Sequence, residues 1–445
     1  MVHARKSQQH PSDKSRALQR RLYQAAKRSG SRRFHALYDR IVRPDVLWRA
    51  WKEVRANRGR PGIDGVRIED IERQGPEAYL KALAADLKAG TYRPQPVLRA
   101  EIPKVDGRMR PLGIPTVRDR IAQQACKLVI EPLFEANFLP CSYGYRPKRS
   151  AGQAMRAVKK ALLRNQFVVE ADIVGYFDHV NHETLMHLVA RRISDRRVLR
   201  LLRSWLHAGV VIDGQRQATR CGVPQGGVVS SLLANIYLHT LDRWWTDRHA
   251  RVGQLFRYCD DFVIVCRSRK AAVRAHGLIT AFLERLKLRL HPTKTRIVAM
   301  AEAGFDFLGF HFRKLPSRRT GRPATYAWPS SKAMTTVRTK LRRLTGRKRL
   351  HVDRSVLVAS LNNLIRGWRG YFAQGNASRQ LTQLDWYLAT RLWHFLKRQR
   401  GPKGKVTLQD FVAWERQSGL LYFYPPGRRG QRPRMPSDER CRKAV

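Results

Sequence analysis

Two adjacent carboxylates, Asp260 and Asp261, stand between two apolar runs in the segment Arg257-Tyr258-Cys259-Asp260-Asp261-Phe262-Val263-Ile264-Val265. Short runs rich in Val, Ile, Phe and Tyr form strands, and a polar pair between them marks a turn. The chain is therefore expected to fold back here as a hairpin, Leu255–Tyr258 against Phe262–Cys266, with both acids at its tip where a hard cation can reach them. A polar turn would account for an Asp-Asp pair by itself. Asp172 adds a second acid in another strand-like run, Phe167–Ile173, where a carboxylate is costly unless paired or bound to metal. Acids on two strands are the least scaffold for two magnesium ions about 4 Å apart, which serve phosphoryl transfer to a nucleic-acid 3′ end. A third element, Gly222-Val223-Pro224-Gln225-Gly226-Gly227, opens a helix expected over Val228–Trp245. A glycine-rich turn there presents backbone N–H groups and suits an anionic or closely packed ligand, though simple capping would explain it alone.

Composition agrees with a polyanionic substrate. Lys and Arg number 88 against 34 Asp and Glu, a formal net charge of +54. Self-repulsion of that size opposes a compact state unless a polyanion neutralises it. Nucleic acid is the natural one, and its binding should depend strongly on salt. Hydrophobic residues, at 43%, still suffice for a buried core. No apolar run approaches the roughly 18 residues of a spanning helix, so no membrane partner is expected. The cysteines (Cys126, Cys141, Cys221, Cys259, Cys266 and Cys441) form no C-x-x-C pair, which argues against a zinc ribbon and for a reducing compartment.

Residues 1–33 read as a polar, basic arm suited to RNA, although an organellar transit peptide shares that composition. A helical pattern runs from Phe34 towards Ala56 and breaks at Asn57–Gly65, where Gly and Pro dictate a loop. A helix over about 76–89 precedes a strand at Pro96–Pro103, and Asp106-Gly107 signals a hairpin turn. Residues 117–136 and 151–164 are expected to be helical, and strands then alternate with helices, as in an α/β or α+β core. Past residue 330 the pattern is all-helical. Leu357, Leu361, Leu364, Trp368 and Phe372 mark one apolar face, Leu381, Leu384, Leu388, Leu392 and Phe395 another, with a turn at Gly375-Asn376. The tail from Pro425 is rich in Pro, Gly and Arg and is expected to be flexible until it meets a partner. Arg338, Lys340, Arg342, Arg343, Arg347, Lys348 and Arg349 fall in one stretch without an acid, which favours contact with a nucleic-acid backbone over a merely solvated face. Helical spacing makes Trp368, Trp386 and Trp393 core residues rather than bases' stacking partners.

The Y-x-D-D box at Tyr258–Asp261, the D-x-x-x-x-F segment from Asp172 to Phe177 and the P-Q-G box at Pro224–Gly226 occur in the order found in reverse transcriptases. Three further segments, Arg58–Gly65, Arg110–Pro115 and Ser142–Pro147, resemble the N-terminal and fingers motifs of bacterial group II intron reverse transcriptases. Arg366-Gly367-Trp368-Arg369-Gly370-Tyr371-Phe372 resembles their maturase region. The resemblance spans about residues 34–400. It implies an α+β right-hand polymerase of fingers, palm and thumb. Residues 1–33 would be a basic N-terminal arm, 34–165 the N-terminal extension and fingers, and 166–325 the palm with parts of the fingers. Residues 326–400 would be a helical thumb or maturase (X) domain, and 401–445 a basic segment, read as a DNA-binding remnant.

Carried over position by position, Asp172 and Asp260 would be direct magnesium ligands with Asp261 in support, and the three together the catalytic set. Phe177 would be the steric gate against a 2′-hydroxyl, and Gln225 would contact the incoming nucleotide. Lys104 and Arg110 would grip its triphosphate, a charge-assisted role. Lys294 would protonate pyrophosphate, unless it is an ordinary surface lysine. Phe307–Phe310 resembles the primer-grip turn. Two departures stand out. Cys259 replaces the usual Ala in the Y-x-D-D box, and Ser230-Ser231 stands where Ser-Pro often follows P-Q-G. Neither removes a catalytic group. No C-x-x-C pair or His cluster follows residue 400, so an HNH endonuclease domain is not expected.

The implied cofactor is Mg2+. The implied partners are group II intron RNA, an RNA template, a DNA primer or target and dNTPs, in the cytoplasm with RNA and nucleoid DNA. Three functions fit these motifs. The chain could be an intron-encoded polymerase that assists splicing and copies its intron by target-primed reverse transcription. It could be a domesticated relative in DNA repair or antiphage defence. It could instead be a non-enzymatic RNA chaperone, against which the intact Asp172, Asp260 and Asp261 set argues.

Overall fold

The computed structural model describes residues 11–103, 109–317, 319–400 and 407–424. Its strands are β1 (Val97–Pro103), β2 (Met109–Ile114), β3 (Phe167–Ala171), β4 (Val210–Ile212), β5 (Gln215–Gln217), β6 (Gln254–Tyr258), β7 (Asp261–Cys266), β8 (Arg296–Ala299), β9 (Phe305–Phe307), β10 (Phe310–Pro316) and β11 (Pro323–Pro329). The mixture is α+β. Two compact units share the chain: Met1–Ser150 with Val169–Cys266 and Lys270–Ile297, and Ala151–Val168 with Arg267–Arg269 and Val298–Val445. The chain passes from one unit to the other within β3 and again within β8.

β6, β7, β3 and β8 follow in that order in a four-stranded sheet, and in the first unit β2, β1, β4 and β5 form another. Apolar runs form strands where the pleat can bury them, and Phe262–Cys266 is wholly buried. β1 and β2 pair antiparallel, with Pro103 opposite Met109. The intervening residues, including Lys104 and the Asp106-Gly107 turn, lie outside the described residues. Helix Val117–Glu135 is buried along most of its length and begins at Thr116, whose hydroxyl accepts from the Asp119 N–H. Helix Ser230–Arg248 is likewise apolar on more than one side, as a helix enclosed by its unit must be.

Two expectations change. Residues 1–33 are not simply a basic arm, because Pro11–Arg28 is a helix whose Leu18, Leu22 and Ala26 are buried. These residues recur every fourth position, so one narrow apolar stripe docks the helix beneath its charge. The pattern from Phe34 to Ala56 is interrupted as well. The main helix starts at Pro44, in the first turn where a missing N–H costs nothing.

The second unit has the antiparallel sheet β11-β10-β9 and helices Ala151–Ala161, Ser331–Leu344, Arg354–Phe372, Ser378–Arg400 and Leu408–Gln417. The series Leu381, Leu384, Leu388, Leu392 and Phe395 lies in its core with Leu357 and Leu361, and Leu364 and Trp368 pack against that core. The core also takes Phe411, Leu420 and Phe423, so residues 407–424 pack with this unit. Asn362 donates to the Gly419 carbonyl (2.9 Å) and accepts from the Leu421 N–H (2.8 Å). The Asp385 carboxylate accepts from Phe423 and Tyr424 N–H groups at 2.7 and 2.9 Å. No helix among the described residues is long and apolar enough to cross a membrane.

A buried ion pair ties the first unit together. Arg257, in β6, and Asp242, in helix Ser230–Arg248, are both fully buried and bond through two N–H groups at 2.7 and 2.5 Å. Asp242→Ala leaves the guanidinium charge buried and unpaired, so it should lower unfolding free energy by about 3–5 kcal/mol in a denaturant titration. A loss under about 1 kcal/mol would show that water reaches the pair.

Candidate active site

The β6–β7 hairpin closes with Tyr258 opposite Asp261, leaving Cys259 and Asp260 as a two-residue turn. Cys259 has φ +62°, a left-handed conformation that costs a non-glycine residue roughly 1–2 kcal/mol. Its neighbours enforce it. Arg257 donates to the Cys259 carbonyl at 2.9 Å. It also reaches Asn235 Oδ1 at 3.1 Å and the Ser142 hydroxyl at 2.8 Å. The Ser142–Pro147 segment runs beside β6, with Tyr143 N–H donating to the Arg257 carbonyl at 2.9 Å. Gly144 sits so close that a Cβ there would lie 2.5 Å from the Cys259 nitrogen, which explains the glycine.

Asp172 follows β3 directly and is held by the 289–294 segment. His291 N–H donates to its carbonyl at 2.7 Å, and Val174 N–H donates to the Arg289 carbonyl at 3.0 Å. Lys294 Nζ lies 2.6 Å from Asp172 Oδ2, so this lysine pairs with one of the three expected acids. β7 and β3 are neighbours in the sheet, which brings the acids of both strands together. Burial, then Asp260, Asp172 and Glu170, pushes the Asp261 carboxyl up to about 8, with Lys294 pulling the other way. Asp260 is raised by burial and by Asp172, against Arg110. Among the described residues no three His, Cys, Asp or Glu side chains form a ready cage for a metal. Magnesium needs none, since it binds through one or two carboxylates and completes its shell with substrate phosphates and water. Crowded carboxyls of this kind are a donor set whose mutual repulsion such a cation would relieve.

The P-Q-G loop is docked on the segment after Asp172. Val223 N–H donates to the Phe177 carbonyl (2.7 Å) and Gly222 N–H to the Val180 carbonyl (2.8 Å). Gly113, in β2, donates its N–H to the Gln225 carbonyl at 2.7 Å, and Val228 N–H reaches Gln123 at 3.0 Å. The expected array of free N–H groups is therefore largely consumed within the protein. The glycines serve close packing instead: a Cβ on Gly222 would lie 2.9 Å from the Asp178 carbonyl oxygen. The helix starts at Ser230 and ends at Arg248, two to three residues later than the sequence pattern. Phe177 and Gln225 are both half-buried on this framework, and Arg110 is exposed on β2. Lys104 lies outside the described residues. Arg257, Asp242 and Glu170 were missed by reading the sequence. An arginine inside the apolar run Leu255–Tyr258 was the available signal.

In the second unit, Lys340, Arg342, Arg343, Arg347 and Lys348 are exposed, on helix Ser331–Leu344 and just after it. Arg338 and Arg349 are half-buried, and the Arg338 guanidinium lies 5.8 Å over the Tyr387 ring. Trp368 and Trp393 pack against the core, beside Phe372 (4.3 Å) and Phe411 (5.7 Å). The Phe307–Phe310 turn has Leu308 and Gly309 at φ +53° and +76°, and the Tyr371 hydroxyl donates to the Leu308 carbonyl at 2.8 Å.

Residues 102–312 match the family described as reverse transcriptase (RNA-dependent DNA polymerase), and residues 334–409 match the group II intron, maturase-specific domain. Protein YkfC of Escherichia coli is 37% identical over 343 residues, covering 68% of this chain and 89% of that protein. The group II intron-encoded protein LtrA of Lactococcus lactis is 39% identical over 212 residues, 47% of this chain but only 35% of LtrA. A chain of a solved partial Cas6-RT-Cas1–Cas2 complex is 26% identical, over 56% of this chain and 42% of that one, with a TM-score of 0.36. The two family matches in tandem, and a relative matched along nearly all its length, show that the chain belongs to the group II intron-type reverse transcriptase/maturase family.

Proposed function

We propose that this chain is an active RNA-directed DNA polymerase that also binds intron RNA, assists its splicing and copies it from a primer at a DNA target. The observation that carries the catalytic half is the crowding of Asp172, Asp260 and Asp261 from adjacent strands, where burial first and the neighbouring carboxylates second raise Asp261 to about 8. In this reading Asp172 and Asp260 hold Mg2+ with Asp261 in support. When bound, the cations would lower the pKa of the primer 3′-hydroxyl and offset charge building on the phosphorus. Lys294, now on Asp172, would be released by the cation and freed to give a proton to the departing pyrophosphate. Arg110 and Lys104 would take the triphosphate. Phe177 would close off the 2′ position, and Gln225, fixed through its own carbonyl, would face the nucleotide.

Residues 34–165 would serve as N-terminal extension and fingers, 166–325 as palm, and 326–400 as thumb and maturase domain. The exposed arginines and lysines from Lys340 to Lys348 would hold the RNA backbone, as their charge and accessibility suit. Work on RNA and nucleoid DNA would place the protein in the cytoplasm.

Asp260→Asn should abolish primer extension on an RNA template, while its affinity for intron RNA in a filter-binding assay stays close to wild type. Normal synthesis by that variant would refute the metal assignment. Phe177→Ala should relax discrimination between dNTPs and rNTPs by about tenfold, read from the ratio of their kcat/KM values. Unchanged selectivity would mean that the gate lies at another side chain.

A further inference from the structure

We propose that Tyr145 touches the substrate, as a stacking platform for the planar base of a nucleotide seated over the catalytic turn. The inference rests on the polymerase reading of this site and adds a contact to it. Tyr145 is 55% exposed, although Ser142, Tyr143, Gly144 and Arg146 around it are buried. Its φ is +54°, so a bulky side chain holds a left-handed conformation that glycine would adopt without strain. Strained positions of this kind persist only where the surroundings over-determine them, and they cluster at functional sites.

The surroundings here are unusually firm. Arg146 donates to both oxygens of Glu135 (3.0 and 2.7 Å) and to the carbonyls of Leu139 and Ser142 (2.6 and 2.7 Å). On the other side, Asn235 donates to the Gly144 carbonyl at 2.8 Å, and Gly144 presses on the Cys259 backbone. Tyr145 is thus clamped at both neighbours and its ring is turned outward.

What it faces is the catalytic turn. Its ring centroid lies 6.5 Å from that of Tyr258. After burial, Cys259, Asp260 and Tyr258 push its hydroxyl up, and Arg110 pulls it down. An exposed aromatic face thus lies close to both the carboxylate expected to hold metal and the arginine expected to hold phosphate. A nucleotide carries a base as well as phosphates, and stacking on Tyr recognises any base without regard to sequence. The base could belong to the incoming nucleotide or to the primer terminus.

The strain provides a clean test. Tyr145→Gly removes the ring and relieves the backbone, and the relieved strain offsets the added chain entropy, so its melting temperature should stay close to wild type. The same variant should raise KM for dNTP, or weaken primer-template affinity, by about tenfold, while Tyr145→Phe stays within about twofold of wild type. A rise in dNTP KM alone identifies the incoming base; a loss of primer-template affinity identifies the primer terminus. Wild-type values of both in Tyr145→Gly and Tyr145→Ala would overturn the proposal with the polymerase reading intact. Failure of the wild-type protein itself to extend primers would sink that reading, and this one with it.

Discussion

The buried pairing of Arg257 with Asp242 fixes the backbone around the β6–β7 turn in the first unit. One guanidinium joins a helix through Asp242 and Asn235, a loop through Ser142, and its own hairpin through the Cys259 carbonyl. Charges this deep give up their hydration, so the pair contributes little net stability compared with a well-packed apolar substitute. Its value lies in geometry. An apolar side chain could fill the volume but could not dictate where the Cys259 carbonyl points. The left-handed residues at Cys259 and Tyr145 flank this anchor and the close approach at Gly144.

The same economy governs the other acids of a chain with 34 carboxylates against 88 basic side chains. Asp195 accepts from the N–H groups of Leu37 and Tyr38, both at 2.8 Å, and caps helix Arg196–Leu206. Asp119 accepts from Tyr92 and from the Gln95 N–H, and Asp385 holds Phe423 and Tyr424. These buried carboxylates are occupied with fixing backbone. Asp260 and Asp261 are raised by burial as well, but they also face other carboxylates in one cluster: Asp172 pushes Asp260 up, and Asp260, Asp172 and Glu170 push Asp261 up.

Local pattern made much of this legible. The hairpin carrying Asp260 and Asp261, the helices near 76–89 and 117–136, and the two leucine-faced helices after residue 350 all have strong period-2 or period-3.6 signals. What escaped depends on distant partners. β4 and β5 are only three residues each, too short to show a period, and β4 gains its place by pairing with β1. Helix Pro11–Arg28 was hidden by charge because its apolar stripe is narrow, and Leu420 and Phe423 become core only through the helices they meet. At the site, the three acids were evident from their strand contexts. The anchor at Arg257 was not, because its partners lie 15, 22 and 115 residues away.

The interleaving of the two units has a consequence for synthesis. The first unit is not complete until Ile297 has been made, and it must fold around a stretch, Ala151–Val168, that belongs elsewhere. That stretch then waits for residues beyond Val298 before its own unit can form. Domains usually fold in turn as they leave the ribosome at about 5–20 residues per second. Here the order of translation and the order of folding are out of step, so residues 151–168 remain without their packing partners while well over a hundred more residues are translated. For a chain this basic, any polyanion nearby during that interval would be a companion to folding.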